Sequence, residues 1–548
     1  MFGKARSRTL RTKVVDMIRN AIVSGKLKPG EHLKETVLAE QMSVSRSPVR
    51  KALRQLEQEG LIVSIPNQGS FVKQFINKED LLTNLPGEWP QDLLPEIQHQ
   101  VKASRRKVVV LDDDPTGTQT VHGVPVLTEW PVEELRAELV GDSPVFYLLT
   151  NSRSLSLAQA QALNAEIGRN LVAAARQAKI EFVVVSRSDS TLRGHFPGEV
   201  ETLAEALGQD LAWLVIPFFL EGGRYTVNDI HYVAEGEWLV PSGETEFARD
   251  AVFGYRSSNL RRWVAEKTRG RVPRESVAVV SIEDLRRGGP GQVVQRLAGL
   301  KQGDVCVVNA ASMRDLEVFV RGLLTVEERG QRFLYRTAAS FVQVRAGLFP
   351  RSLLARTDLA LTGSGGGLLI VGSHVPRTTS QVNALLARMG MTSVEISVKA
   401  LLDDDRCQGE IVRVAQKAER ALRGGEDVVI YTSRQLLKRE DSESNLSIGQ
   451  RVSEGLVAVV RAISTRPRYV LAKGGITSSD VATRGLGVKR ALVLGQILPG
   501  APVWQLGAES RYPGLAYIVF PGNVGDSQAL VEVVRTLEKN QVSKKLAT

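Results

Sequence analysis

Three aspartates in a row, Asp112-Asp113-Asp114, stand between the apolar run 108–111 and Pro115-Thr116-Gly117-Thr118-Gln119. Adjacent carboxylates repel one another and serve no purpose in a core, so a cation or the hydroxyls of a substrate is the expected partner. A second polar cluster, Ser186-Arg187-Ser188-Asp189-Ser190-Thr191-Leu192-Arg193-Gly194, follows the run 182–185. A third, Glu221-Gly222-Gly223-Arg224-Tyr225-Thr226-Val227-Asn228, follows 213–217. Arginine grips a carboxylate bidentately, while Asp and Asn take hydroxyls. Arginines, an aspartate and hydroxyls at successive strand ends therefore suit a small polyhydroxy carboxylate. Asp112, Asp114, Thr116, Arg187, Asp189, Arg193 and Arg224 are the candidate substrate-binding residues.

Three glycine turns come later: Gly372-Ser373-His374, Lys473-Gly474-Gly475-Ile476-Thr477-Ser478-Ser479-Asp480, and Pro521-Gly522-Asn523-Val524-Gly525-Asp526. Glycines there let backbone N–H groups approach phosphate, and a following helix N-terminus adds favourable partial charge. Helices are expected over 378–389 and 481–486, the latter capped by Ser479 or Asp480. No Gly-x₄-Gly-Lys-Ser/Thr string is present, which excludes a P-loop enzyme. Asp112-x-Asp114-x-Thr116 also fits the haloacid dehalogenase signature, and Asp526 imitates that superfamily's last motif. Such a phosphatase needs a second acid about four residues on, but the next acid is Glu532, and the two motifs lie too far apart for one domain.

The elements that must position these clusters follow from hydropathy. From residue 107 onward, short continuous apolar runs alternate with longer helical stretches. That pattern means parallel strands covered by helices on both faces, with sites past the strands' C-terminal ends. The first residues differ. Residues 1–54 carry 13 Lys and Arg against 4 Asp and Glu, a net +9 of the chain's +11. Apolar periodicity (Leu10, Val14, Met17, Ile18, Ile22) predicts a helix over 9–24, then helices over 33–41 and 46–60, the last ended by Gly60. Two strands, 61–65 and 70–72, flank a hairpin turn at Pro66-Asn67-Gln68-Gly69. This order is a winged helix-turn-helix. The fold class is thus α/β: a winged helix-turn-helix head and a two-lobed body of mainly parallel sheets covered by helices. The expected divisions are a head over 1–75, a proline-rich linker over 76–105, an acid-binding domain over 106–345, a nucleotide-binding domain over 366–530 and a tail over 531–548.

Composition narrows the class further. Of 548 residues 43% are apolar and 24% charged, ordinary for a globular protein. Two cysteines, Cys306 and Cys407, cannot form a disulfide framework, which points to a reducing compartment. The basic N-terminus lacks an apolar signal core, and no apolar run approaches the ~20 residues that cross a bilayer. A cytoplasmic protein with no membrane contact is expected.

The segment LAEQMSVSRSPVRKALRQLEQEGLIVSIPNQGSFV closely resembles the GntR family of bacterial regulators. That resemblance implies a homodimer on a double-stranded DNA operator. Arg46, Ser47 and Arg50 would meet phosphates and base edges from the recognition helix, and Gly69 of the wing would lie on the DNA backbone. DDDPTGTQTV, SRSDSTLRGH and EGGRYTVND resemble the four-carbon acid sugar kinases, over about 106–530. One departure is Arg187, where a lysine is common. This second resemblance implies transfer of phosphate from ATP, with Mg2+, to a hydroxyl of an erythronate, threonate or oxo-tetronate type of acid. Arg187, Arg193 and Arg224 would hold the acid, and Ser373, Gly474, Gly475, Ile476, Thr477 and Gly522 would contact ATP. The catalytic group that takes the hydroxyl proton is Asp113 or Asp189. Rival readings are a regulator whose kinase-like body only senses the acid, and the haloacid dehalogenase-like phosphatase.

Overall fold

The computed structural model describes residues 10–23, 26–28, 30–58, 61–65, 69–72, 76–208, 211–361, 365–373, 375–387, 391–433, 442–522 and 524–538. Gly60, the turn residues 66–68, His374, Met389, Asn523 and most of the expected tail lie outside these.

The head has three helices, α1 (Leu10–Val23), α2 (Glu35–Gln41) and α3 (Arg46–Gln58), and a wing of two antiparallel strands, Ile62–Ile65 and Gly69–Val72. Val14, Val15, Ile18 and Ile22 of α1 pack with Val49, Ala52, Leu53 and Leu56 of α3. Met17, expected on the inner face of α1, is 53% exposed, and Val15 takes its place. Arg46, Ser47 and Arg50 are exposed on α3, and Gly69 is exposed where the second wing strand begins.

Residues 76–105, expected to be a linker, are folded onto the body. Ile76–Asn77 pairs antiparallel with Trp238–Pro241, and Leu94–Ser104 is a helix. Pro95 sits in that helix's first turn, where its missing N–H costs nothing, and Leu94, Ile97 and Val101 are buried at helical spacing. The prolines therefore start a packed helix here instead of marking an open tether.

The body is organised by a 15-stranded sheet. The strands Ala278–Val280, Val305–Val308, Ala212–Ile216, Phe333–Thr337, Phe182–Arg187, Lys107–Asp112, Val145–Leu149 and Val124–Leu127 form one parallel block in that spatial order. Phe520-containing Ala516–Phe520, then Val470–Lys473, Leu368–Val371, Asp427–Thr432 and Met391–Ile396 form a second. An antiparallel hairpin, Arg490–Leu498 and Ala501–Leu506, joins the two through Val124–Leu127. Successive side chains feed opposite cores: Val108 and Val110 enter one, Val109 and Leu111 the other. All strand C-terminal ends within a parallel block face the same way, so polar clusters that follow them collect along one edge.

Candidate active site

Register brings the first clusters together. Asp112 pairs across the sheet with Arg187 and Leu149, and Arg187 pairs with Thr337. Arg187 donates to Asp112 Oδ1 at 3.1 Å and lies 3.6 Å from Asp113 Oδ1. Gly117 is required here, because a Cβ at that position would fall on the Asp112 carboxylate. The Asp114 side chain accepts from Thr116 N at 2.8 Å and so caps the turn Pro115–Thr120. Asp189 is bound by Arg193 at 2.7 Å and by the Thr191 hydroxyl. Arg193 and Arg224 stack over the same Phe247 ring at 5.0 and 5.7 Å.

Two arginines join this cluster that the sequence reading overlooked. Arg153, from the turn Ser152–Ser154 after strand Val145–Leu149, pairs with Asp114, lies 3.4 Å from Asp189 and reaches Asp113 at 4.0 Å. Arg336, at the end of Phe333–Thr337, donates to the carbonyl of Arg193 at 3.0 Å, and its charge acts on Asp113. Both follow apolar runs, which is where polar clusters were to be sought. Each is a single arginine in a short polar string, and only sheet adjacency shows its company.

The aspartates are in different electrostatic states. Burial pushes Asp112 up to about 7 against the pull of Arg187. Burial likewise pushes Asp113 up to about 6, although Arg153, Arg187 and Arg336 oppose it. Asp113 is 4% exposed, and neither of its carboxylate oxygens has a hydrogen-bond partner. Burial also disfavours charge on Asp189, but Arg193 and Arg153 outweigh it and hold that carboxyl far below the usual range. Buried polar atoms are normally partnered, so Asp113 stands out in the cluster as a carboxylate with both acceptor oxygens open to hydrogen bonding. Arg336 is buried and Arg224 half-buried, neither has a carboxylate within 4.0 Å among the described residues, and loss of solvent lowers both. Arg187 and Arg193 are already paired with aspartates.

The glycine turns line up because their strands are neighbours: Val371 pairs with Lys473, and Lys473 with Phe520. Thr378 Oγ1 lies 3.1 Å from both Ser373 Oγ and the Gly522 carbonyl. Cβ atoms on Gly474 and Gly522 would stand 3.2 and 3.3 Å from Ser373 atoms, so the three turns converge on one small space. The helix here starts six residues earlier than expected: Gly474, at φ +115°, is the N-cap, and Gly475, Ile476 and Thr477 form the first turn of Gly475–Asp480. Ser479 and Asp480 therefore lie inside the helix and cap nothing. The N–H groups of that first turn are the ones a helix leaves for an anion. Thr477 packs against Gly372, whereas the Ile476 side chain is 55% exposed. Lys473 is fully buried beneath these turns, with its amine over the Phe520 ring and donating to Pro521 O at 2.9 Å. Burial and the nearby Arg377 depress it to about 7.

The two halves meet at this point. A Cβ on Gly475 would lie 2.6 Å from Asp114 Oδ2, so the first residue of the helix abuts the aspartate cluster. Trp504 Nε1 donates to Thr118 Oγ1, and Gln119 to the Gly500 carbonyl, both at 3.0 Å, locking the aspartate turn to the second half. Asp526, by contrast, uses Oδ1 to accept from Gln528 N at 2.8 Å, a local turn contact. Among the described residues, no group of three His, Cys, Asp or Glu is arranged to hold a metal ion, and no helix is long and apolar enough to cross a membrane.

Comparison with known proteins agrees with this division. Residues 108–345 match a sugar-binding N-terminal domain, 368–530 a nucleotide-binding C-terminal domain, and 10–72 the gntR family of bacterial regulatory proteins. D-erythronate kinase of Heliobacterium modesticaldum is 24% identical over 375 residues, covering 65% of this chain and 79% of that protein. D-threonate kinase of Bordetella bronchiseptica is 23% identical over 405 residues, covering 74% and 89%. A Haemophilus influenzae crystal structure from a family of unknown function shares the fold, with a TM-score of 0.54 at 15% identity, over 78% of this chain and 100% of that one. With both body domains and the regulator domain matched in this order, the chain belongs to the four-carbon acid sugar kinase family and carries a GntR-type winged helix-turn-helix domain at its N-terminus.

Proposed function

We propose that the body is an ATP-dependent kinase for a four-carbon sugar acid of the erythronate, threonate or oxo-tetronate type, and that the head binds operator DNA as part of a homodimer. The observation that carries the kinase reading is the contact between halves. A buried carboxylate with no hydrogen bond on either oxygen, Asp113, sits one residue from Asp114, which touches the first residue of a helix whose N-terminal turn faces the space between three glycine turns. Acceptor and donor sites are thereby adjacent. A protein that uses ATP and binds chromosomal DNA would work in the cytoplasm.

Each group has a task in this reading. Arg224, with no carboxylate partner among the described residues, takes the acid's carboxylate, with Arg336 close to the aspartates to complement it. Asp189, held ionised by Arg193 and Arg153, accepts from substrate hydroxyls and orients them. Asp113 takes the proton of the attacking hydroxyl, since it is the aspartate with open oxygens and an affinity for protons raised toward neutrality. Ser373, Gly474, Gly475, Ile476, Thr477 and Gly522 offer backbone N–H groups and small side chains to phosphates. ATP supplies the γ-phosphoryl group. A magnesium ion entering on the phosphates would keep mostly phosphate and water oxygens and draw on one or two carboxylates of the Asp112–Asp114 cluster, which abuts Gly475, for its protein donors. Incubation of the full chain with Mg-ATP and each four-carbon acid should release ADP with at least one of them. Binding of an acid without ADP release would favour the sensor reading instead.

Gly475 tests the nucleotide half. Gly475→Val is expected to weaken ATP binding by about 5- to 150-fold, the equivalent of the ~1–3 kcal/mol that an overpacked side chain costs, because the new side chain would press on Asp114. Calorimetric titration reads this directly, and unchanged affinity would remove the turn from the site.

The head is tested by salt and by two arginines. Binding to the operator should weaken steeply with salt, by about one unit of log–log slope per phosphate contact. Arg50 is held by Glu35 through two oxygens at 2.8–3.0 Å, while Arg46 is exposed at the start of α3. Arg46→Ala should therefore cost more operator affinity than Arg50→Ala, about 1–3 kcal/mol if it meets a base edge. Anisotropy titration with the upstream region of the chain's own gene would show the reverse order if Arg50 is the main reader.

A further inference from the structure

We infer that Arg153 is a catalytic residue of the transfer, the guanidinium that neutralises charge developing between acceptor and phosphate; this rests on the kinase reading. Among the described residues it is the one cation within 4.0 Å of both Asp113, the open carboxylate, and Asp114, which abuts Gly475. Its position is fixed from below. Thr150 N and Asn151 N donate to the Asp112 carbonyl at 2.9 and 3.3 Å, so the turn that carries Arg153 is tied to the aspartate strand. Asn151 adopts a left-handed φ of +49° to turn the chain there.

A structural ion pair would need one carboxylate, and Arg153 has three. Two of those have other donors: Thr116 N on Asp114, and Arg193 with Thr191 on Asp189. Arg187 also touches the cluster, but its side chain is 5% exposed and seated on Asp112, whereas Arg153 retains 17% exposure and is paired with Asp114, the aspartate that abuts Gly475 of the second half. Anionic phosphates arriving beside Asp113 and Asp114 would meet repulsion from both carboxylates. Arg153 is the fork placed to offset it. In the transfer, the acceptor oxygen bonds to the γ-phosphorus as the bond from that phosphorus to the ADP oxygen breaks. The hydroxyl proton passes to Asp113, and negative charge spreads over the three non-bridging oxygens. Arg153 N–H groups donate to those oxygens, an interaction that strengthens as the transfer proceeds.

The test uses the full chain with Mg-ATP and the four-carbon acid that the wild type turns over. Arg153→Ala and Arg153→Lys should each lower kcat, the former by about 10²–10³-fold. Calorimetric affinities for ATP and for the acid should stay within about threefold. Added guanidinium should restore part of the kcat of Arg153→Ala, a response that a purely structural ion pair would not show. If the alanine variant fails to fold, the lysine variant decides, because it keeps the charge and loses the planar fork. An unchanged kcat in a folded variant, or a loss confined to binding, overturns the proposal while leaving the kinase reading intact. Absence of turnover by the wild type overturns the kinase reading and this proposal with it.

Discussion

Asp113→Asn is expected to lower kcat by about 10²–10⁴-fold, the usual worth of a positioned general base, with little change in ATP affinity. The substitution is nearly isosteric and removes a charge from the oxygens that no neighbour satisfies. Asp189→Asn should behave differently. Asp189 is already engaged by Arg193, Thr191 and Arg153, so its loss should raise the KM for the acid and disturb the arginines around it. The pH profile separates the two roles. Asp113 accepts a proton only when ionised, and burial has raised it to about 6. The kcat/KM of the wild type should therefore climb as pH rises through about 6 and then level. Asp189 is held far below that range and contributes no limb there. A profile flat down to pH 5, or an Asp113→Asn enzyme with near-normal kcat, would exclude Asp113 as the base.

Arg224→Ala is expected to raise the KM for the acid by about 30- to several-thousand-fold, the equivalent of the ~2–5 kcal/mol lost when one partner of a buried charge pair is removed. Arg193→Ala should cost less acid affinity, because Arg193 already spends its Nε on Asp189 at 2.7 Å. The sequence treats the two arginines alike; the structure ranks them. Steady-state kinetics on both variants, with ATP saturating, checks the order. An Arg193→Ala enzyme with the larger rise in acid KM, or parallel losses for ATP and acid, would show that the acid sits elsewhere.

What could be read without coordinates depended on the kind of signal. Continuous β-branched runs announced the parallel strands, and the polar strings after them contained Asp112, Arg187 and Gly474 because chemistry in such sheets gathers past strand ends. The joining strand Arg490–Leu498 was missed because its apolar run 491–494 is short and broken off by Gly495-Gln496, and its burial alternates between buried and half-exposed positions as in an antiparallel hairpin, unlike the fully buried parallel strands. With it went the fact that both halves share one sheet. Arg153 and Arg336 were missed for another reason. Each is a lone arginine at or just past a strand's C-terminal end, and its meaning comes from the neighbours the sheet supplies, Leu149 beside Asp112 and Thr337 beside Arg187, which no local string contains. The pair of glycines at 474 and 475 was legible as a turn. That the helix starts on the second glycine, against Asp114, depends on the close approach of the two halves. Residues 76–105 show local signals in conflict: Pro86, Pro90 and Pro95 suggest a tether, while Leu94, Ile97 and Val101 carry the spacing of a docked helix. Burial decided for the helix.

The central claim is transfer of a phosphoryl group to a four-carbon acid in the space between the aspartate cluster and the glycine turns. Mass spectrometry of the acid after incubation with the full chain and Mg-ATP tests it most directly. One four-carbon acid should gain a single phosphoryl group, and Asp113→Asn should leave the same acid unmodified though bound. Recovery of every such acid unmodified, with an acid nonetheless bound by the wild type, would contradict the account and leave a sensor in place of a kinase.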